Sequence, residues 1–349
     1  MDTLQIGDQT IAPGTRVDIE LPVALLHTQT PLTMPVRILR GKHDGPRLFV
    51  SAAIHGDELN GVEIIRRLHQ HKSLSRLRGT LITIPTVNVF GVIHHSRYLP
   101  DRRDLNRSFP GSSKGSLASR LAFLFMNEIV ANCTHGIDLH TGAVHRANLP
   151  QLRVNINDPE TNRLAHAFGV PVILNSDLRD GSLRQAASEQ GVPLLLYEGG
   201  EALRFDEFSI RAGVKGVLNV MRTLGMLPQS RRRSQREASS VVARSSVWVR
   251  AVESGILRSF TELGARVARD EVLGAISSPC SEEQEEVRAP VSGIIIGKTR
   301  LPLVNEGDAL FHLARFEAIS EAANKVDAFA EVMNEPVLGD PSDGEQPIV

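Results

Sequence analysis

Between Arg47 and Leu224 the sequence exchanges two hydrophobic rhythms again and again, and this restricts the fold more than any other feature of the 349-residue chain. Arg47–Ile54 reads R-L-F-V-S-A-A-I and Thr80–Ile84 reads T-L-I-T-I, short apolar runs of the kind that form buried strands. Gly61–His71 instead places apolar residues at 62, 64, 65 and 68, a helical spacing. The exchange continues with a helix over Leu117–Ala131, a strand over Gly136–Leu139 and a helix over Thr161–Phe168. A strand over Pro171–Leu174, a helix over Ser182–Gln190, a strand over Val192–Tyr197 and a helix over Ser209–Leu224 complete it. Upstream, Thr15–Pro22 and Met34–Arg40 read as further strands. Strands interleaved with helices predict an α/β fold, its mixed, mostly parallel sheet covered by helices on both faces.

The rhythm breaks after residue 228. Pro228–Ser246 holds five Arg, one Glu and many Ser, with little to bury, and reads as a solvated linker. From Val247 short strands with glycine turns follow, an all-β texture. The expected division is therefore an α/β domain over residues 1–228, a linker over 229–246, a small β module over 247–315 and an acidic tail over 316–349 that opens with a helix. The module's A-P-V-S-G-I-I-I-G and V-N-E-G-D-A-L-F resemble the barrel of biotinyl/lipoyl carrier domains. Those carriers modify a lysine in a hairpin, and the matching turn around Ser278–Glu286 has none, so an unmodified structural module is expected.

Charge narrows the function classes. With 39 Lys+Arg against 40 Asp+Glu the formal charge is −1, which argues against nucleic-acid binding, since that needs clustered positive charge. No apolar run approaches the ~20 residues of a membrane-spanning helix. Charged residues among the first twenty leave no signal-peptide core, so a cytoplasmic protein is expected. Cys133 and Cys280 cannot by themselves form a thiolate metal site. Any metal chemistry must rest on carboxylates and on some of the twelve histidines.

His55-Gly-Asp-Glu58 lies between an apolar strand and a helix, where an imidazole and a carboxylate can face one point. Gly136-Ile-Asp-Leu-His140-Thr-Gly142 ends a second apolar strand on a histidine. Ligands of open α/β sheets bind outside the carboxyl ends of strands, which would gather His55, Glu58 and His140. Two His and one Glu with a fourth position left for water is a catalytic zinc set. Asp138 is expected on the opposite face of its strand from His140, in a structural role. Arg97-Tyr-Leu-Pro-Asp-Arg-Arg-Asp-Leu-Asn106-Arg107 brings together groups able to hold a carboxylate by paired hydrogen bonds. Leu195-Leu-Tyr-Glu198-Gly-Gly-Glu201 delivers a carboxylate from a buried strand into a glycine-rich turn, a place suited to a general base. Glu201 is expected to be a surface acid, and His94 and His95 loop residues.

H-G-D-E, D-L-N-R-S-F-P-G, D-L-H-T-G and Y-E-G-G-E, in that order, resemble the succinylglutamate desuccinylase/aspartoacylase family, a branch of the zinc carboxypeptidase-like fold. The resemblance covers roughly residues 35–225. It implies one Zn²⁺ per chain on His55, Glu58 and His140, with Glu198 activating the zinc-bound water. It also implies that Asn106 and Arg107 clamp a substrate carboxylate and that Arg97 polarises the scissile carbonyl, with Arg102 and Arg103 as rivals for that third cation. The expected activity is zinc-dependent hydrolysis of a linear amide in a small N-acylated amino acid, a deacylase. The partner would be that small molecule rather than nucleic acid or membrane, and a homo-oligomer is left open. Two alternatives stand beside it: a carboxypeptidase-like enzyme trimming peptide or isopeptide ends, and a zinc-free binding or assembly protein.

Overall fold

The computed structural model describes residues 3–229, 240–280 and 283–334. Its first part runs β1 (Leu4–Ile6), β2 (Gln9–Ile11), β3 (Arg16–Leu25), β4 (Pro31–Arg40), β5 (Arg47–Ala52), α1 (Asn60–Leu68), β6 (Thr80–Ile84), α2 (Val89–Ile93), α3 (Leu117–Glu128), β7 (His135–Gly142), β8 (Arg146–Val154), α4 (Pro159–Phe168), β9 (Val172–Asn175), α5 (Leu183–Glu189), β10 (Leu194–Glu201) and α6 (Glu207–Thr223). The second part runs β11 (Val241–Ala243), β12 (Ser245–Arg250), β13 (Gly255–Ser259), β14 (Arg266–Val267), β15 (Val272–Ser277), β16 (Gln284–Arg288), β17 (Gly293–Thr299), β18 (Leu303–Val304), β19 (Ala309–Arg315) and α7 (Ile319–Asn334).

Four neighbouring strands, β6-β5-β7-β10, pair parallel and form the centre of a mixed sheet, with antiparallel β4 and β3 beyond β6 and antiparallel β8 beyond β10. The central strands are apolar on both faces because helices cover both. Phe49 and Ile82 point into one cluster with Leu121 and Phe125 of α3. Val50, Ile137 and Leu195 point into the other with Ile64 of α1 and Val217 of α6. Helix starts are set locally: Ser116, Asp158 and Asp206 each accept a hydrogen bond from the backbone three residues on. At the far end of α4, Gly169 adopts a φ of 85° that lets the chain turn back into β9.

Strand β8 is absent from the expectation and matters most. Pro150 shifts the phase of the two-residue alternation in R-A-N-L-P-Q-L-R-V, which is apolar at 147 and 149 before it and at 152 and 154 after it. One edge of β8 pairs with β10. The other edge is divided: Arg146, Ala147 and Asn148 pair with β17, and Gln151–Val154 pair with β9. Pro150 falls between the two pairings, where a missing N–H breaks no ladder.

Through β17 the sheet runs on to β19 and β12, so the later strands are continuous with the first part. A second sheet, β16-β15-β13-β18, closes a small apolar core that includes Leu257, Leu273, Ile295 and Phe311. Within the stretch read as linker, residues 230–239 lie outside the described residues. Its end is ordered structure instead: β11 pairs parallel with β9, and β12 begins at Ser245. Val241 and Val242 extend an apolar strand edge that the arginine content of the segment masks. The helix expected at the start of the acidic tail is α7, which buries Ala322, Val326, Phe329 and Met333. Residues 335–349 lie outside the described residues, as do Ser281 and Glu282.

His312 of β19 is 3 % exposed and lies where the two parts meet. Burial, with the Arg153 charge adding to it, pushes its pKa down to about 3. The ring is therefore neutral in the folded protein and titrates near 6.5 when unfolded. A depressed histidine contributes stability that is complete above the unfolded pKa and falls as pH drops below it. At pH 5 that loss is about 2 kcal/mol. Urea unfolding at pH 7.5 and pH 5 should show wild type losing about that much more stability than His312→Gln. Equal losses in the two proteins would remove His312 from the acid response.

Candidate active site

The carboxyl ends of β5 and β7 bring the candidate ligands together. After β5 the chain turns through His55 and Gly56, with the Glu58 amide donating to the His55 carbonyl at 3.1 Å. A Cβ on Gly56 would stand 1.9 Å from the backbone of Gly91, so only glycine allows this turn to pack against α2. The Glu58 carboxylate sits between two imidazoles: Oε1 is 2.7 Å from His55 Nδ1 and Oε2 is 2.8 Å from His140 Nδ1. The Thr141 amide donates to the same Oε2 at 3.2 Å. Ligand atoms of His55, Glu58 and His140 lie within 4.8 Å of one another, all on buried residues.

The outer nitrogen of each ring is also held. His55 Nε2 is 3.1 Å from Asp104 and His140 Nε2 is 2.6 Å from Asp138. A carboxylate behind each imidazole fixes the ring and turns Nδ1 toward the shared point, the arrangement seen behind metal-bound histidines. Asp138 is thus on the same face as His140, not the opposite one, because side chains two residues apart share a strand face. It is held from behind by the Ser51 hydroxyl, which donates to it at 2.8 Å.

Electrostatics follow from this burial. Desolvation opposes charge on His140, but Asp138 and Glu58 outweigh it and hold the imidazole pKa well above its usual value. Burial likewise opposes charge on His55, and Glu58 and Asp104 overcome it. Desolvation pushes Glu58 up, yet the two imidazoles hold it well below the usual carboxylate range. Asp104 is kept low in the same way, against its burial, by His55 and Arg97. Two imidazoles and one carboxylate, buried and convergent, are a donor set that a divalent cation fits.

The remaining candidates surround a cavity of about 280 Å³ that opens on this cluster. Arg97 reaches it directly, with Nη1 3.3 Å from Glu58 Oε1 and Nη2 donating to Asp104 at 3.0 Å. Its rivals do not: Arg102 is exposed, and exposed Arg103 sits 3.9 Å from Asp101. Asn106 is buried, and its Oδ1 accepts the Leu183 amide at 2.9 Å, which ties the loop to the start of α5. Arg107 donates to the Asn106 carbonyl and lines the cavity beside it. Glu198 is paired in register with His140 across β10 and β7. Glu201, expected at the surface, is 8 % exposed, because β10 continues past the glycines and pairs Glu201 with Gly142. His94 and His95 are exposed, as the loop reading requires.

Several cavity residues carry no sequence signal. Asn148 donates to Glu198 Oε2 at 2.6 Å, and Arg153 Nε lies 3.2 Å from Glu198 Oε1 without hydrogen-bond geometry. Both come from β8. Arg146, Arg179, Arg184 and Trp248 also line the cavity. Only Asp104 could have been found, since it stands inside the D-L-N-R motif. Six arginines against Glu58 and Glu198 make the cavity cationic although the chain is nearly neutral, a field that draws anions. Among the described residues no helix is long and apolar enough to cross a membrane.

Comparison with known proteins agrees with this architecture. An N-alpha-acetyl-L-2,4-diaminobutyric acid deacetylase of Halomonas elongata is 25 % identical over 292 residues, 80 % of this chain and 85 % of that protein. The crystal structure of a succinylglutamate desuccinylase/aspartoacylase from Rhodobacter sphaeroides superposes with a TM-score of 0.77 at 23 % identity, covering 86 % of this chain and 96 % of the other. The product-bound Ectoine utilization protein EutE (DoeB) of Ruegeria pomeroyi also gives 0.77, at 22 % identity over 86 % of this chain and 95 % of the other. The Succinylglutamate desuccinylase/Aspartoacylase catalytic domain matches residues 44–224, a span that holds the buried His-Glu-His cluster and Glu198. That match takes in more than half of the chain, and the protein belongs to the succinylglutamate desuccinylase/aspartoacylase family.

Proposed function

We propose that the protein is a zinc-dependent deacylase that hydrolyses the amide bond of a small N-acylated amino acid or a related carboxylate. The observation that carries this reading is the buried His55–Glu58–His140 cluster opening into an arginine-lined cavity that also holds Glu198. A zinc ion on those three ligands would supply Lewis acidity toward the scissile carbonyl and acidify water. Glu198, fixed by Asn148, takes the proton from the attacking water and delivers it to the departing amine. Arg97 donates to the carbonyl oxygen as negative charge develops there. Asn106 and Arg107 hold the substrate carboxylate, Arg107 through its guanidinium fork. The deacetylase activity in the name of the Halomonas relative supports an amide with a free amine as product.

Trp248 of the second part lines the same cavity, which favours small substrates over the peptide ends of the carboxypeptidase-like reading. A cytoplasmic site of action completes the proposal. The test is metal analysis of the purified protein together with amine release from a panel of N-acyl amino acids. About one zinc per chain and turnover of at least one panel member are expected. A metal-free protein, inactive across the panel with and without added zinc, would return the molecule to the binding-protein reading.

A further inference from the structure

We propose that Arg146, carried on the face of Trp248, is a specificity-determining residue that binds a second anionic group of the substrate. It rests on reading the cavity as a deacylase site, and it adds a recognition element that reaches the site from the second part of the chain.

Trp248 is the only tryptophan. It lies on β12 in register with His312 of β19, and the two rings stack 4.4 Å apart at 5°. His312 is buried, and β19 continues through β17 into β8, so the indole rests on a continuous sheet rather than on a loop. The Arg146 guanidinium carbon lies 5.4 Å from the indole centroid. Both residues line the cavity that holds the His-Glu-His cluster and Glu198.

Of the five other cavity arginines, Arg179 likewise faces no acid and no acceptor among the described residues but lacks the indole contact, Arg107 donates to the Asn106 carbonyl, and the remaining three have partners of their own. Arg97 meets Glu58 and Asp104, Arg153 lies beside Glu198, and Arg184 donates to the Ser176 and Asp177 carbonyls. Among the described residues the half-buried Arg146 guanidinium has no acid and no hydrogen-bond acceptor; its contact is the indole. A guanidinium over an aromatic face is held through its plane, which leaves its N–H donors free at the edge. Those donors match a carboxylate in a two-pronged geometry. With Asn106 and Arg107 holding one carboxylate, Arg146 gives the cavity a means of selecting substrates with a second.

The single tryptophan makes this measurable without turnover. Metal-loaded protein is titrated with succinate and with butyrate, which share a chain length and differ by one carboxylate, while Trp248 emission is followed. Succinate should bind about tenfold or more tightly than butyrate. Arg146→Gln should reduce that preference by about tenfold, and Arg146→Lys in part, because a point charge replaces the fork. Trp248→Leu, read by calorimetry, should also reduce it, with Trp248→Phe retaining more. Should Arg146→Gln fail to fold, Arg146→Lys decides. An unchanged preference in a folded Arg146 variant, or no emission response to succinate in wild type, would overturn the proposal. Binding and amine release are separate readings. A protein that selects succinate through Arg146 yet cleaves no N-acyl amino acid keeps the anion site and loses the deacylase reading.

Discussion

Replacing Glu198 with glutamine should lower kcat by about 10²–10⁴-fold on any amide the protein cleaves, with metal content unchanged. The size follows from the proposed mechanism, in which two proton transfers rest on one carboxylate: off the attacking water, and then onto the amine. Glutamine keeps the shape and can still accept from Asn148, but it cannot take up a proton at neutral pH. Glu198 stands next to His140 in the sheet and is not part of the ligand cluster, so its loss should leave the cluster intact. Arg153 would lose the carboxylate 3.2 Å away, so a thermal melt must accompany the kinetics. Asn148→Ala removes the donor at 2.6 Å and should cost less, about tenfold in kcat, because the carboxylate remains. Glu201→Gln tests whether the second acid of the motif contributes; its pairing with Gly142 assigns it to the sheet. A Glu198→Gln protein turning over within about threefold of wild type would remove this residue from the base role.

What the sequence made legible was local. Apolar runs such as Thr80–Ile84 became buried strands because both faces of the sheet are covered, and the residues themselves carry that signal. His55 and Glu58 share one turn, and His140 ends a strand, so their meeting required only that β5 and β7 be neighbours. Contacts between distant segments were hidden. β8 carries its alternation in two short halves of opposite phase, since Pro150 sits at a gap between two pairing partners that lie far apart in sequence. With β8 unseen, so were Asn148 behind Glu198, Arg153 and the surface that joins the two parts of the chain. The choice of Arg97 over Arg102 and Arg103 depended on a loop path that spacing does not encode. Asp138 shares its strand face with His140, as the two-residue period of a strand requires, so its place behind the ring is itself a local feature.

Removing the metal from the proposed centre is the other large effect. Dialysis against a strong chelator should abolish amine release, and added zinc should restore it. His140→Ala should do the same irreversibly, since it deletes a ligand and leaves Glu58 buried with one imidazole fewer. Asp138→Asn should fall between: the ligand set is complete, but the ring loses its carboxylate, and metal affinity drops about 10–100-fold. Stability supplies a readout independent of turnover. A metal bound only by the native state at about 1,000 times its Kd stabilises by about 4 kcal/mol, so chelation should lower the melting temperature, and zinc should raise it again in wild type. Asp138→Asn should need more zinc to recover the same melting temperature, and His140→Ala should not recover it. This ordering separates a metal centre from a merely polar core. In a polar core that holds no ion, His140→Ala would still destabilise the fold, but neither chelator nor zinc would move the melting temperature of the wild-type protein.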